Sequence, residues 1–161
     1  MKKIAIAAAC VALAACASKP LEAPQADNLI VPGHRIGPAA LGMPAKDLLE
    51  ALGAPRESTK LPGRMVNVFS DGITVVVSDG DLRVISVGTT DGWYTTAEGI
   101  RAGSTELEVR AQITGTPQVF EDKKNARIKT FCYPGMEVDF WPQQRGVAAV
   151  RVTNLPCLKQ F

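Results

Sequence analysis

Side chains that can act as nucleophiles, general bases or soft metal ligands are few in this chain of 161 residues, which has four cysteines and one histidine. His34 stands in a Gly-His-Arg sequence with no neighbouring acid or nucleophile, so we interpret it as solvated or capping rather than as a general base. Cys132 and Cys157 lack the closely spaced third and fourth ligands of a zinc site. We therefore expect no catalytic residue, no metal site, no cofactor and no enzymatic activity.

The N-terminal segment has the features of a signal peptide. A basic start, residues 1–3, precedes an apolar run, 4–15, that is too short to cross the roughly 30 Å hydrocarbon layer of a membrane. The run ends in Leu-Ala-Ala before Cys16, and this sequence resembles the lipobox of bacterial lipoproteins. The resemblance implies that residues 1–15 are a lipoprotein signal peptide and that Cys16 is lipidated. The alternative is an ordinary secretory signal, with Cys16 incidental.

Lipidation of Cys16 implies a location. Three acyl chains, at about 0.8 kcal/mol per buried methylene, exceed what stable anchoring requires, so a membrane is an expected partner. The next residues, Ala17 and Ser18, differ from the aspartate that favours inner-membrane retention of bacterial lipoproteins, which implies an outer-membrane location with the globular part facing the periplasm. Residues 16–33 are interpreted as the lipidated cysteine and a flexible tether, in which 29–31 is either a short edge strand or solvated linker.

The charge of the mature chain argues against nucleic acid as a partner. The full chain has 18 basic and 16 acidic residues, but Lys2 and Lys3 leave with the signal peptide, so 16 basic residues remain. The mature chain is then neutral overall, and its longest basic run is a pair of lysines. Because affinity for nucleic acid depends on neutralising phosphates, we expect no nucleic-acid binding.

Segment 99–117 repeats the pattern of an earlier segment, 40–55, and the match continues downstream. The aligned pairs include Gly42 with Gly103, Leu48 with Val109, Pro55 with Pro117, Val75 with Val138 and Val87 with Val152. The insertions fall between predicted elements, where a duplicated unit tolerates them. The sequence therefore indicates two copies of one structural unit.

Each copy predicts one short helix followed by three strands. Thr105 and Glu108 form a possible capping box, and Glu106 and Arg110 are spaced to pair on the outer face of the second helix. The predicted strands are 64–69, 73–78 and 82–87 in the first copy, and 127–133, 136–141 and 147–153 in the second. Alternation along the middle strands places Val75 and Val138 on an apolar inner face and residues such as Thr74, Glu137 and Asp139 on the outer face. The predicted fold is thus α+β, with two tandem αβββ repeats, 34–92 and 93–161, antiparallel meander sheets, and short helices packed on one face.

Several of these motifs resemble the unit of small bacterial outer-membrane lipoproteins of the BamE/SmpA kind. The best-matching pieces are Gly103-Ser104-Thr105 at the helix start, Gly115-x-Pro117 at its end and Gly135-Met136-x-Val138 in the meander. The tandem arrangement is similar to that of the β-lactamase inhibitor protein. The resemblance covers roughly residues 36–155, and because its motifs are structural it implies a fold more strongly than a function.

Cys132 and Cys157 are the cysteines that remain once the signal is removed and Cys16 is lipidated, in a compartment that oxidises thiols. They fall at the same end of the predicted meander. The first and third strands stand roughly 10 Å apart, however, whereas a disulfide needs alpha carbons within about 7 Å. We predict a disulfide, with residues 154–156 curling across the sheet end. The alternative is a buried reduced Cys132 and a free Cys157.

Large aromatic residues on loops are the best candidates for contact with a partner. Trp93 and Tyr94 lie in the connection between the repeats, and Trp141 follows Phe140, which is predicted to face inward. We predict Trp93, Tyr94 and Trp141 as partner-binding residues. The alternative for Trp93 and Tyr94 is that they pack between the repeats and hold their relative angle.

The expected function is that of a lipid-anchored envelope lipoprotein that binds another envelope protein without catalysis, in outer-membrane assembly or maintenance. The alternative is an inhibitor or ligand-binding module that acts on a periplasmic enzyme or a cell-wall component. The identity of a captured partner would distinguish the two: a β-barrel or assembly protein supports the first, and a soluble enzyme supports the second.

Overall fold

The structure is a computed structural model that describes residues 27–122 and 128–157, so the predicted signal peptide and Cys16 lie outside the described residues. The described helices are α1, Ala45–Leu52, and α2, Glu106–Gln112. The described strands are β1 Leu29–Val31, β2 Arg35–Ile36, β3 Ala39–Ala40, β4 Glu57–Leu61, β5 Arg64–Val68, β6 Ile73–Ser78, β7 Val84–Thr89, β8 Thr95–Thr96, β9 Gln118–Asp122, β10 Ile128–Tyr133, β11 Met136–Phe140 and β12 Val147–Thr153.

Eight of these strands form one sheet in the order β4-β5-β6-β7-β12-β11-β10-β9. Four consecutive strands follow each helix as an antiparallel meander, and the two meanders join where β7 pairs with β12. Gly88 and Arg151 are paired at this junction. The two repeats therefore share one continuous sheet. The sequence alone did not decide whether they would share a sheet.

The strand registers show how the two meanders correspond. Val75 pairs with Val87 in the first, and Val138 pairs with Val150 in the second. Val87 therefore corresponds to Val150 and not to Val152, where the sequence alignment placed it. Because the error is two residues, each side chain remains on the face that the alternation predicted. Both pairings also contain a register shift at the same point, next to Val76 and Val77 and next to Asp139 and Phe140.

The predicted α+β fold class is wrong. The described residues form 12 strands in sheets of four and eight strands, with helices of only eight and seven residues, so the protein is mostly β. Sequence analysis missed β4 and β9, which are edge strands rich in polar residues. All of β4 is exposed, so it has no apolar alternation to reveal it, and charged side chains on such an edge discourage pairing with another chain.

The second sheet contains the short strands β3-β2-β1-β8 and covers part of the same core. Leu29–Val31 is thus a strand, but it lies inside this sheet, between β2 and β8, rather than at an edge. Ile30 and Ile36 are buried together with Leu48 of α1 and Val109 of α2. Helices of two turns are too short to be stable alone, so burial of these side chains supports them.

The predicted start of α2 is confirmed. The Thr105 hydroxyl accepts a hydrogen bond from the Glu108 amide at 3.2 Å, and the Glu108 carboxylate accepts one from the Thr105 amide at 2.7 Å. This capping box satisfies two amides that the first turn of a helix leaves without partners. The predicted surface pair is also present, with Arg110 Nε 3.0 Å from Glu106 Oε1.

Candidate protein-interaction site

The loop between β7 and β8 is held by a chain of hydrogen bonds. The Asp91 amide donates to the Thr89 hydroxyl at 3.1 Å, and the Trp93 amide donates to an Asp91 carboxylate oxygen at 2.8 Å. From the N-terminal segment, the Asn28 side-chain amide donates to the Trp93 carbonyl at 3.1 Å. The backbone at Trp93 is therefore held on both sides, while the residue keeps 69% of its accessible surface.

The neighbouring residue, Tyr94, points into the protein and is only 5% exposed. Its hydroxyl donates to Asp71 Oδ2 at 3.1 Å, in the turn between β5 and β6. Burial raises the pKa of the Tyr94 phenol to about 12, and the negative charge of Asp71 acts in the same direction. Gly37 leaves room for the ring, since a Cβ there would lie 2.8 Å from Tyr94 Cε1. Tyr94 thus packs the connection between the repeats against the first repeat.

Trp93 and Tyr94 border a cleft of about 510 Å³, which we call the Trp93 cleft. Its other lining residues come from the N-terminal segment, the end of α1 and the turn after β5: Asp27, Asn28, Pro38, Ala51, Leu52, Ser70 and Asp71. Histidine and cysteine are absent from this lining. An exposed indole beside apolar walls and hydrogen-bonding groups is suited to contact with a bound partner.

One carboxylate of the Trp93 cleft is paired with a cation. Arg35 donates to the two oxygens of Asp27 at 2.7 and 3.0 Å. These hydrogen bonds hold the pKa of the Asp27 carboxyl below its ordinary value. The ion pair anchors the point where the N-terminal segment enters the described fold, so one wall of the cleft is ordered by it.

Trp141 lies apart from the other two predicted contact residues. It follows β11 and is 38% exposed, and its carbonyl accepts a hydrogen bond from the Gln144 amide at 3.0 Å. It is not among the residues that line the Trp93 cleft. The structure therefore brings Trp93 and Tyr94 together and leaves Trp141 on a separate part of the surface.

The structure contains the predicted disulfide between Cys132 and Cys157, whose alpha carbons lie 6.1 Å apart. Cys132 is on β10 and pairs with Glu137 of β11, so the bond places the residues after β12 near β10. Cys132, Glu137 and Cys157 have potential metal-ligand atoms within 4.8 Å of one another. Both sulfurs are used in the disulfide, however, so they are not available as thiolate ligands.

A buried charged cluster on β11 and β12 was not predicted. Glu137 and Asp139 were assigned to an exposed outer face, but they are 2% and 6% exposed, so that assignment is wrong. Arg151, opposite Glu137 on β12, donates to Glu137, and it donates to Asp139 Oδ2 at 2.9 Å. The Thr130 hydroxyl donates to Asp139 Oδ1 at 2.7 Å. Opposite charges at facing strand positions are the signal that would have predicted this cluster.

No protein-family model matches the chain, and no curated protein sequence matches it significantly. Among solved structures, the protein is similar to the uncharacterized protein YfeY from Escherichia coli, with a TM-score of 0.50 and 12% identity over 80% of this chain and 99% of that one. A cysteine-rich secretory protein from Staphylococcus aureus matches with a TM-score of 0.49 and 17% identity over 81% of this chain. This chain spans 49% of the staphylococcal protein. The likeness to YfeY shows the fold alone.

Within residues 27–122 and 128–157, neither helix has the length and apolar character that a membrane crossing requires.

Proposed function

We propose that this protein is a lipid-anchored envelope lipoprotein that binds another envelope protein without catalysis, and that Trp93 is the anchor of the contact. The observation that carries the proposal is an indole left 69% exposed on a backbone held by three hydrogen bonds. Ordering a loop on binding costs conformational entropy, and a loop that is already held avoids most of that cost. Tryptophan is also enriched among the residues that dominate interface energies.

The position of the cleft relative to the proposed anchor supports a partner in or near the membrane. The lipobox resemblance assigns the anchor to Cys16, and Asp27, which lines the cleft, is 11 residues farther along the chain. A fully extended chain spans at most about 3.6 Å per residue, so this segment reaches roughly 40 Å at most. Lipidation at Cys16 would therefore keep the Trp93 cleft close to the membrane surface, which favours a membrane-associated partner.

The anchoring part of the proposal is tested by replacing the acylated residue. Cys16→Ser should abolish incorporation of labelled palmitate and release the protein from the membrane fraction, or leave it unprocessed. The Cys132→Ser variant provides a cysteine control that should still incorporate the label. Palmitate labelling of the Cys16→Ser protein at the wild-type level would show that the anchor has been assigned to the wrong residue.

The binding part is tested by photo-crosslinking in intact cells from a photoreactive amino acid placed at position 93. Leu107 on α2 is a matched control position, because it is apolar and 78% exposed. We expect a discrete adduct with a β-barrel or assembly protein from position 93 and none from position 107. An adduct with a soluble periplasmic enzyme would support the inhibitor alternative, and equal labelling from both positions would reject the Trp93 assignment.

A further inference from the structure

Two carboxylates from separate segments lie on the same side of the Trp93 cleft. Asp71 stands in the turn between β5 and β6 and lines the cleft. Asp91 stands in the loop between β7 and β8 and packs against the next residue of that turn, since a Cβ added at Gly72 would lie 3.0 Å from the Asp91 Cβ. Both aspartates are exposed. Two acidic groups that are distant in the chain are thus held at one edge of the cleft.

The phenol of Tyr94 lies within the electrostatic reach of both carboxylates. Its hydroxyl donates to Asp71 Oδ2 at 3.1 Å. Burial is the main reason that the pKa of this phenol is raised, and the negative charges of Asp71 and Asp91 raise the pKa further. Because a neutral hydroxyl does not cancel the charge of a carboxylate, this edge of the cleft keeps both negative charges.

These two aspartates differ from the other carboxylate of the cleft in having no cation beside them. Arg35 donates to both oxygens of Asp27 and so neutralises it. Among the residues that the structure describes, no ion pair joins Asp71 or Asp91 to a basic side chain. The cleft therefore presents two uncompensated negative charges to whatever binds there.

The remaining walls of the cleft suit the other parts of a cationic side chain. The indole of Trp93 is 69% exposed, and the face of an indole attracts a cation more strongly than the ring of tyrosine or phenylalanine does. Pro38, Ala51 and Leu52 supply apolar surface, against which the aliphatic stem of a lysine or an arginine can pack. An acidic group in the same place would be repelled by the two aspartates.

We propose that the Trp93 cleft binds a positively charged side chain of the partner protein. The aliphatic stem of this side chain packs against Leu52, and its charged head lies beside the indole of Trp93 and the carboxylates of Asp71 and Asp91. The inference rests on the proposed function, because it assigns the chemistry that the partner presents to Trp93.

The probes for the test are N-acetyl-L-argininamide and N-acetyl-L-citrullinamide, which have nearly the same shape but differ in charge. Titrations followed by amide chemical shifts should place the arginine probe at residues 70–72 and 91–94. The wild-type protein should bind the arginine probe at least about fivefold more tightly than the neutral one. Added salt should reduce this preference, because interactions between exposed charges are screened.

Variants of the two aspartates test whether their charge causes the preference. Asparagine at either position keeps an oxygen that can accept the hydrogen bonds from the Tyr94 hydroxyl and the Trp93 amide. Asp71→Asn and Asp91→Asn should each weaken binding of the arginine probe by roughly twofold to fivefold, and the double variant should lose most of the preference. Asp81→Asn is the matched control: Asp81 is exposed, accepts a hydrogen bond from the amide two residues later as Asp91 does, and lies at the other end of β6. It should leave the preference unchanged.

The outcomes separate this inference from the proposed function. If position 93 captures an envelope protein but the wild-type protein binds both probes equally, the inference is overturned and the Trp93 contact stands. If the arginine probe is preferred but position 93 captures no protein, the proposed function fails and the preference of the cleft for a cation stands. Full preference in the double variant, or shifts confined to residues outside the cleft, also overturns the inference.

Discussion

Replacing Arg151 with methionine should destabilise the protein more than any surface substitution, because Arg151 is the cation of a buried cluster. Its guanidinium donates to Glu137 and to Asp139, and the side chains of these two residues are only 3% and 9% exposed. Methionine keeps much of the length and the apolar stem but removes the charge. The variant therefore leaves two nearly buried carboxylates without the guanidinium that both share.

The expected cost follows from this geometry. Removing one partner of a buried ion pair costs about 3 to 5 kcal/mol, because the remaining charge is left desolvated. The pair formed by Lys46 and Glu50 on α1 is the matched control, since its side chains are 85% and 67% exposed. Lys46→Met should change the free energy of unfolding by less than about 0.5 kcal/mol, as for other exposed helix pairs.

The loss of stability in Arg151→Met should also depend on pH, because the Glu137 carboxyl changes its protonation state with pH. Burial raises its pKa above the ordinary value of 4.5, while Arg151 acts to lower it. Without the guanidinium this pKa rises further. A carboxyl whose pKa is raised by folding stabilises the protein most below its unfolded pKa, and that contribution is lost as pH rises through the folded value. The deficit of Arg151→Met should therefore be largest near pH 7 and smaller near pH 4.

Urea denaturation followed by circular dichroism at pH 7 and pH 4 measures both the loss of stability and its dependence on pH. We expect the midpoint of Arg151→Met to fall far below that of Lys46→Met at pH 7, with the gap narrowing at pH 4. Equal midpoints for the two variants at pH 7 would show that the cluster is solvated in solution. A gap that widens on acidification would refute the assigned role of Glu137.

Three further sets of substitutions test separate parts of the structure. Cys132→Ser opens a loop with a sequence separation of 25 and should lower the free energy of unfolding by about 3.5 kcal/mol, as measured with urea under non-reducing conditions. Val75→Ala and Val138→Ala should each cost about 1 to 3 kcal/mol, and Thr74→Ala should cost clearly less; equal costs at all three positions would contradict the register. A hydrogen bond from Lys129 on β10 lowers the pKa of Glu106. Ionised Glu106 therefore stabilises the fold above about pH 4.5, and this contribution is lost as the pH falls through its lowered pKa. Glu106→Gln should accordingly make stability less dependent on pH below 4.5, as midpoints measured between pH 3 and pH 6 would show.

The parts of the fold that sequence reasoning predicted are those with strong local signals. The alternation of Ile73, Val75 and Val77 indicated a half-buried strand, and all three side chains are buried on one face. Thr105 and Glu108 indicated the start of a helix, and the capping box is present. In both cases the signal lies within a few residues, so no knowledge of the tertiary structure was needed.

The parts of the fold that sequence reasoning missed depend on contacts between segments that are distant in the chain. Strands β4 and β9 have no apolar alternation, and among the described strands each pairs with the next strand in the chain alone. The two-residue error that placed Val87 over Val152 arose because a shift of two keeps the same alternation, so only the observed strand pairing corrects it. Burial of Glu137 depends on a guanidinium from a neighbouring strand.

For the candidate site, the sequence identified the aromatic residues but did not predict which of them are exposed and which are buried. Trp93 and Tyr94 are adjacent, yet Trp93 is exposed and Tyr94 is buried, because the loop backbone turns one side chain out and the other towards Asp71.

The central claim, that Trp93 anchors a protein partner, is tested most directly by the affinity of the protein captured from position 93 for two tryptophan variants. Trp93→Ala should weaken binding by roughly 30-fold or more, as expected when an interface anchor that contributes at least about 2 kcal/mol is truncated. Trp141→Ala, which removes the other partly exposed tryptophan, should change the affinity by less than about threefold. Unchanged affinity for Trp93→Ala together with a large loss for Trp141→Ala would contradict the account.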